Sequence, residues 1–211
     1  MTSHEGLRRV VLATRNQHKL VELRRILDDT GLVVELVGVD AFGSVPDVPE
    51  TGETFGENAL LKAQAVAKAT DCIAVADDSG LCVDILGGMP GIFSARWSGK
   101  HGDDEANLSL VLAQLTDVPD DRRGAQFVCA AAVASPEGEH RVVDGRLEGR
   151  LIRDPRGTNG FGYDPIFVPS GDTRTTAEMS ASEKDSMSHR GRAFRSLAPL
   201  IPELFAGGQT R

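Results

Sequence analysis

Cys72-Ile73-Ala74-Val75-Ala76-Asp77-Asp78-Ser79-Gly80-Leu81 is the stretch on which the reading of this chain turns. Its first five residues form a short apolar run, the pattern of a buried strand. Asp and Gly are depleted in strands, so the strand is expected to stop at the aspartates. Two adjacent carboxylates repel each other unless a cation stands between them. A hard divalent cation such as Mg²⁺ binds through one or two carboxylates together with phosphate oxygens. Asp77 and Asp78 therefore have two readings. One is a metal site at a strand end; the other is a solvated turn in which Asp78 or Ser79 caps the next element.

Working outward, Arg8 to Ala13 reads as a first strand. Asn16 is placed to cap a helix over Gln17 to about Asp28, with Leu20, Leu23 and Leu27 on one face. Leu32 to Val37 reads as a second strand, followed by a loop rich in Pro, Gly and Asp from Gly38 to Gly52. Thr54 and Glu57 have capping-box spacing ahead of a helix reaching about Thr70. Gly87 to Gly91 reads as a sharp loop, and Asp103 or Asp104 starts a helix to Leu115. Ala125 to Ala134 and Glu139 to Leu147 read as a hairpin around Pro136-Glu137-Gly138. Pro155 to Pro165 is a glycine-rich loop, and Ser188 caps a last helix to Leu197 that Pro199 bends or ends. Helices alternating with strands, with a hairpin between, predict an α/β fold with a mixed sheet.

At 211 residues with no Pro/Ser linker, the chain reads as a single domain over 1–211, or two lobes sharing a sheet. A net charge of −8 argues against a broad grip on a nucleic-acid backbone, although a local basic pocket remains open to a small anion. Cys72, Cys82 and Cys129 lack metal-site spacing and sit in apolar runs, so they read as reduced, buried thiols of a cytoplasmic protein. Met1 to Glu5 lacks the basic and apolar regions of a signal peptide, and no apolar run has the length of a membrane span.

Four further segments carry chemistry. Thr14-Arg15-Asn16-Gln17-His18-Lys19 follows a strand and opens a helix, a junction that turns backbone N–H groups and a positive dipole end toward an anion. The plain alternative is a helix cap with a surface lysine. Glu50 lies just outside a helix N-terminus, either as a solvated loop acid or as a second ligand to a metal on Asp78; Lys62 reads by default as exposed. Gly157-Thr158-Asn159-Gly160-Phe161-Gly162-Tyr163-Asp164-Pro165 combines glycines, which permit close backbone approach, with two ring faces for a planar ligand. A structural turn with buried aromatics is the competing reading. Lys184 and Ser188-His189-Arg190 set basic residues at a helix N-terminus, against the dipole, which is either ordinary surface charge or a response to an anionic or electron-rich ligand. Trp97 is open between packing and a subunit contact.

Taken in order, six segments resemble one family: Thr14-x-Asn16-x-x-Lys19-x-x-Glu22, Glu50-Thr51-Gly52-x-Thr54-Phe55-x-Glu57-Asn58-Ala59, Ala76 to Leu81, Pro90 to Arg96, Gly160 to Phe167, and Ser188-His189-Arg190-Gly191. The family is that of the noncanonical purine nucleoside triphosphate pyrophosphatases, the inosine triphosphate pyrophosphatase-like enzymes, called dITP/XTP pyrophosphatases in bacteria. The resemblance implies a two-lobed α/β fold with a long mixed sheet flanked by helices, a nucleotide cleft between the lobes, and a homodimer. It implies Mg²⁺-dependent hydrolysis of ITP, dITP and XTP to the nucleoside monophosphate and pyrophosphate, which keeps deaminated purines out of DNA and RNA. By the same resemblance Asp78 is the catalytic base and a metal ligand, and Glu50 is the other ligand. Thr14, Asn16 and Lys19 hold the triphosphate, and Ser79, Phe161, Gly162, Tyr163, Asp164, Lys184, His189 and Arg190 contact the substrate. Arg15 stands where some members carry glycine, offering an added phosphate contact. Two rivals stay open: a pyrophosphatase of modified pyrimidine nucleotides on a similar fold, and a non-catalytic nucleotide-binding module.

Overall fold

A computed structural model describes residues 8–43 and 45–207, so the reading of Met1 to Glu5 lies outside the described residues. Strand β1 (Arg9–Leu12) buries Val10, Val11 and Leu12 completely. Helix α1 (Gln17–Asp28) begins where the Asn16 side chain accepts the Lys19 N–H at 3.2 Å. Leu23, Ile26 and Leu27 form its buried stripe, while Leu20 is only half-buried. Strand β2 (Glu35–Gly38) starts later than its apolar run because its register is set by β1, Arg9 opposite Glu35 and Leu12 opposite Gly38. Helix α2 (Phe55–Thr70) is capped by Thr54, which accepts the Glu57 N–H at 3.2 Å. The Glu57 carboxylate reaches back one residue past the cap, to the Glu53 N–H at 2.6 Å.

Strand β3 (Ile73–Val83) corrects the opening expectation, since it does not stop at the aspartates but runs through Asp77, Asp78, Ser79 and Gly80. The reason is tertiary. β3 lies between β1 and β4 in the sheet, and Leu81 and Val83 are fully buried beyond the polar stretch. Pairing and the apolar anchors override the weak strand preference of Asp and Gly.

Helix α3 (Asp104–Gln114) is capped by Asp103, which accepts the Ala106 N–H at 3.3 Å. Strands β4 (Gly124–Ala134) and β5 (His140–Leu151) are joined by the expected turn, with Ser135 N–H donating to the Glu139 carbonyl at 2.8 Å. The short strand β6 (Phe167–Pro169) and helix α4 (Ala181–Met187) were not anticipated, although Ser180 and Glu183 have capping-box spacing and form that box. Helix α5 (His189–Leu197) follows, with the Gly191 N–H on the Ser188 hydroxyl at 2.9 Å. Pro199 sits in a 3₁₀ turn, after which α6 (Ile201–Gly207) resumes the helix.

The six strands pair in the order β2-β1-β3-β4-β5-β6. β1 is parallel to β2 and β3, and β5 is antiparallel to β6, so the sheet is mixed as expected. Among the described residues no helix is long and apolar enough to cross a membrane.

The chain divides into two compact units, and the boundary passes between Asp77 and Asp78. The first comprises residues up to Asp77 with Ala130–Val143 and the segment from Phe194 onward. Its core sets Ala59, Ala63, Val66 and Ala67 of α2 against Val11, Ala74, Ala76, Ala130, Ala132 and Ala134. Small side chains on both surfaces let the helix approach the strands closely. The second comprises Asp78–Cys129 and Asp144–Ala193. Its core joins Leu108, Val111 and Leu115 of α3 to Leu81, Val83, Phe127, Leu147, Leu151 and Phe167. Arg123, 2 % exposed, donates to the carbonyls of Leu115 (2.7 Å), Leu151 (3.0 Å) and Ile152 (3.3 Å), tying the end of α3 to the end of β5.

Gly145 of β5 lies against the backbone of α5, where a Cβ would collide with the His189 carbonyl and the Ala193 nitrogen. Gly145→Val is expected to lower the unfolding free energy by about 3 kcal/mol, an overpacking cost set by backbone that cannot rotate away. The thermal midpoint, followed by circular dichroism, should fall by roughly 6–12 °C; an unchanged midpoint would show that α5 is not seated on this glycine.

Candidate active site

In the first unit, the junction after β1 is built as a helix entry. Asn16 N–H donates to the Thr14 hydroxyl at 3.2 Å while the Asn16 carboxamide caps α1. Lys19, in the first turn of α1, points its ammonium at the Asp77 carboxylate, 2.9 Å away. The Asp77 side chain is 1 % exposed and that of Lys19 17 %, so the lysine is not the surface residue of the plain reading. The loop acid Glu50 is held in the same manner, by Lys62 of α2 at 3.1 Å. Its neighbourhood is fixed by Asn58, wholly buried, whose carboxamide oxygen accepts the Gly52 N–H at 2.8 Å. Arg15 bonds Asp47 and the Val45 carbonyl and lies 3.8 Å from Asp40, so it fastens the 38–52 loop.

In the second unit, Asp78 is 6 % exposed on β3. A strand sends consecutive side chains to opposite faces, so Asp77 and Asp78 are not a two-carboxylate clamp. Ser79 accepts a hydrogen bond from the Arg190 guanidinium at 2.7 Å. Lys184, His189 and Arg190 are 7 %, 3 % and 5 % exposed, which removes the reading as ordinary surface charge. The His189 ring stacks on Phe127, with centroids 4.8 Å apart. The Arg190 guanidinium and the Lys184 ammonium lie 5.0 Å and 5.2 Å from the centroid of Phe161, within cation–π range.

The loop that carries Phe161 is organised by Asp164. Its buried carboxylate accepts the Phe161 N–H at 2.9 Å, the Thr176 hydroxyl at 2.7 Å and the Lys184 ammonium at 2.5 Å. Gly160 lies at φ +76°, and a Cβ there would strike the Asp164 carboxylate. Tyr163 is not the second open ring face that the sequence suggested. Its ring is packed in the core of the second unit and its hydroxyl donates to the Ser94 carbonyl at 2.8 Å. Burial pushes the Tyr163 hydroxyl well above the usual phenol range, and the Asp104 carboxylate adds to the shift. Sequence reasoning missed Asn58, Ser94, Asp104 and Thr176 as partners of the site residues. Of these Asn58 and Ser94 stood inside quoted motifs, and Asp104 and Thr176 did not.

The acids fit a hard cation in kind: they are carboxylates, the donors that Mg²⁺ accepts. Among the described residues no group of three or more His, Cys, Asp or Glu forms a complete cage. That donor set suits an ion that retains waters and shares its shell with substrate phosphates.

A model of the Ham1 family matches residues 10–200. The chain belongs to the Ham1 family. Among similar members, a Streptomyces avermitilis protein named dITP/XTP pyrophosphatase is 64 % identical over 196 residues, 93 % of this chain and 98 % of the relative. A Mycobacteroides abscessus protein of the same name is 54 % identical over 203 residues, 96 % of this chain and 98 % of the relative. The Coxiella burnetii HAM1 protein structure superposes with a TM-score of 0.83 at 41 % identity, covering 93 % of this chain and all of that one. A solved structure from Mycobacterium abscessus, described as a nucleoside-triphosphatase and dITP/XTP pyrophosphatase, gives 0.74 at 55 % identity, covering 92 % and 99 % of the two chains. The Ham1 match spans both units, including every segment that carries a candidate residue.

Two measurements check this geometry. Asp164→Ala leaves the Lys184 ammonium buried without its counter-charge and is expected to cost about 3–5 kcal/mol of stability. Adding Lys184→Met should recover part of that loss in denaturant unfolding; strictly additive losses would deny the coupling. The single tyrosine gives the second test. Its folded pKa lies above the unfolded value of about 10, so its contribution to stability is intact below about pH 10 and is lost as pH rises further. Absorbance at 295 nm should show Tyr163 ionising only as the fold is lost, whereas a free titration near pH 10 in folded protein would contradict its burial.

Proposed function

We propose that this Ham1 protein hydrolyses the deaminated purine nucleoside triphosphates ITP, dITP and XTP to the nucleoside monophosphate and pyrophosphate, keeping deaminated purines out of DNA and RNA. The observation that carries the reading is 64 % identity over 93 % of the chain to a protein named dITP/XTP pyrophosphatase. The residues described above support it. Lys19, with Thr14 and Asn16 in the same helix entry, and Lys62 suit a polyphosphate. Phe161, Ser79, Lys184, His189 and Arg190 suit a base and its sugar. We place the reaction in the cytoplasm, which suits a chain with no disulfide among the described residues.

Glu50 and Asp78 would hold Mg²⁺, which when bound neutralises charge on the phosphate oxygens. Phosphate hydrolysis is chiefly a matter of positioning and charge neutralisation. Asp78 accepts a proton from water as the water oxygen bonds to the α-phosphorus. The bond from that phosphorus to the α–β bridging oxygen breaks, and pyrophosphate leaves. Lys19 and Lys62 offset the charge on the departing group. Phe161 stacks on the base, and donors around His189 and Arg190 meet the 6-oxo group of hypoxanthine or xanthine. Adenine has a donor at that position, and a buried donor left without an acceptor discriminates strongly.

The test is incubation with dITP, ITP, XTP, GTP, ATP and TTP plus Mg²⁺, with pyrophosphate and orthophosphate measured separately. Pyrophosphate from the first three, and slow turnover of the rest, is expected. Orthophosphate alone would overturn the bond assignment, and faster turnover of TTP would favour a pyrimidine substrate. Asp78→Asn should lower kcat by roughly 10³-fold with the fold intact, the range for loss of a general base; near-normal turnover would reject that role.

A further inference from the structure

We propose that Asp104, a residue otherwise read only as the start of a helix, is a positioning residue for the Phe161 platform. The inference rests on the role given to Phe161 above. Two peptide planes flank the Phe161 Cα, and a different carboxylate holds each. The N–H of Phe161 donates to Asp164 at 2.9 Å, and the N–H of Gly162 donates to Asp104 Oδ2 at 2.8 Å. With both planes fixed, the direction in which the ring leaves the backbone is fixed too.

The two anchors differ in origin. Asp164 belongs to the loop itself and is buried with Thr176 and Lys184. Asp104 comes from 58 residues away in sequence, from the first turn of α3. That helix is rooted in the core of the second unit through Leu108, Val111 and Leu115. The next loop residue, Tyr163, is held by a third element, through the Ser94 carbonyl, and Ser94 in turn accepts the Leu81 N–H at 2.9 Å. The anchors matter because Gly160 and Gly162 both sit at positive φ, +76° and +62°, on either side of Phe161. Glycine on both sides leaves the loop soft unless its amides are held. A carboxylate makes a stronger acceptor than a neutral oxygen, which suits a contact on the exposed side of the loop.

An acid in the first turn of a helix is favoured by the dipole alone. That simpler role does not require the Gly162 contact, so the two roles separate experimentally. Amide exchange by NMR in nucleotide-free protein should show Gly162 protected, with exchange roughly tenfold faster in Asp104→Ala and protection retained in Asp104→Asn, whose carboxamide oxygen still accepts. In steady-state assays with dITP, Asp104→Ala should raise KM about tenfold with kcat within about twofold, the pattern of lost binding and not of lost chemistry. Asp104→Asn should restore KM. Rapid exchange of Gly162 in the unmodified protein overturns the proposal whether or not any variant folds. So does an unchanged KM in Asp104→Ala, or a loss that only follows helix stability and is not restored by Asp104→Asn. Should the unmodified protein leave dITP intact, the proposed function fails, while the exchange data, which need no substrate, still decide whether Asp104 holds the loop.

Discussion

A carboxylate taken out of water must be met by a cation or by donors, and among the described residues lysines meet that condition at Asp77, Glu50 and Asp164. Lys19 answers Asp77, Lys62 answers Glu50 and Lys184 answers Asp164. Each lysine projects from a different helix, α1, α2 or α4, so the register of each helix on its strands sets where an ammonium arrives. Buried ion pairs add little to stability compared with apolar residues of similar size, whereas losing one partner is costly. The buried pair at Asp164 and the partly buried pairs at Asp77 and Glu50 are therefore poor candidates for stabilising devices. On the proposed reading, the pairs of Lys19 and Lys62 are charges held ready for a polyanion and a cation.

The parts of the fold that were legible in the sequence are those governed by local rules. The limits of α1 and α2 agree with the reading because Asn16 and Thr54 cap them through bonds a few residues long. β3 was misread because its course through Asp77 to Gly80 depends on neighbouring strands, which local preference does not register. The delay of β2 has the same cause, since its start is set opposite Arg9 of β1. Helix α4 is the reverse case: a capping box at Ser180 and Glu183 stood in plain view, but the helix is too short for its periodicity to show.

The site was legible in residue type more than in role. Phe161 and Tyr163 look equivalent in sequence, two residues apart and each following a glycine. The structure separates them, because one ring is packed in a core and the other lies beside two cations. Lys184 and Arg190 likewise pass for surface charge until their burial is known. Asp104 gives no local sign of its contact, since the bond joins residues 58 apart and the acid already has a sufficient local reason at a helix start. Residues whose duty is to hold another residue are the ones that sequence patterns hide.

The lysine pairs also bear on how an acidic chain of net charge −8 could take up a polyanionic substrate. On the proposed reading, a triphosphate that draws Lys62 away costs Glu50 this ion pair, and one that draws Lys19 away costs Asp77 its own pair with that lysine. A divalent cation on the Glu50 carboxylate removes the first of these costs, and it frees Lys62 at the same time. Nucleotide and cation then favour each other's binding, and by linkage the favour is equal in both directions. The coupling does not require the chain to move. It follows from placing each basic group where an acid holds it until a stronger anion arrives.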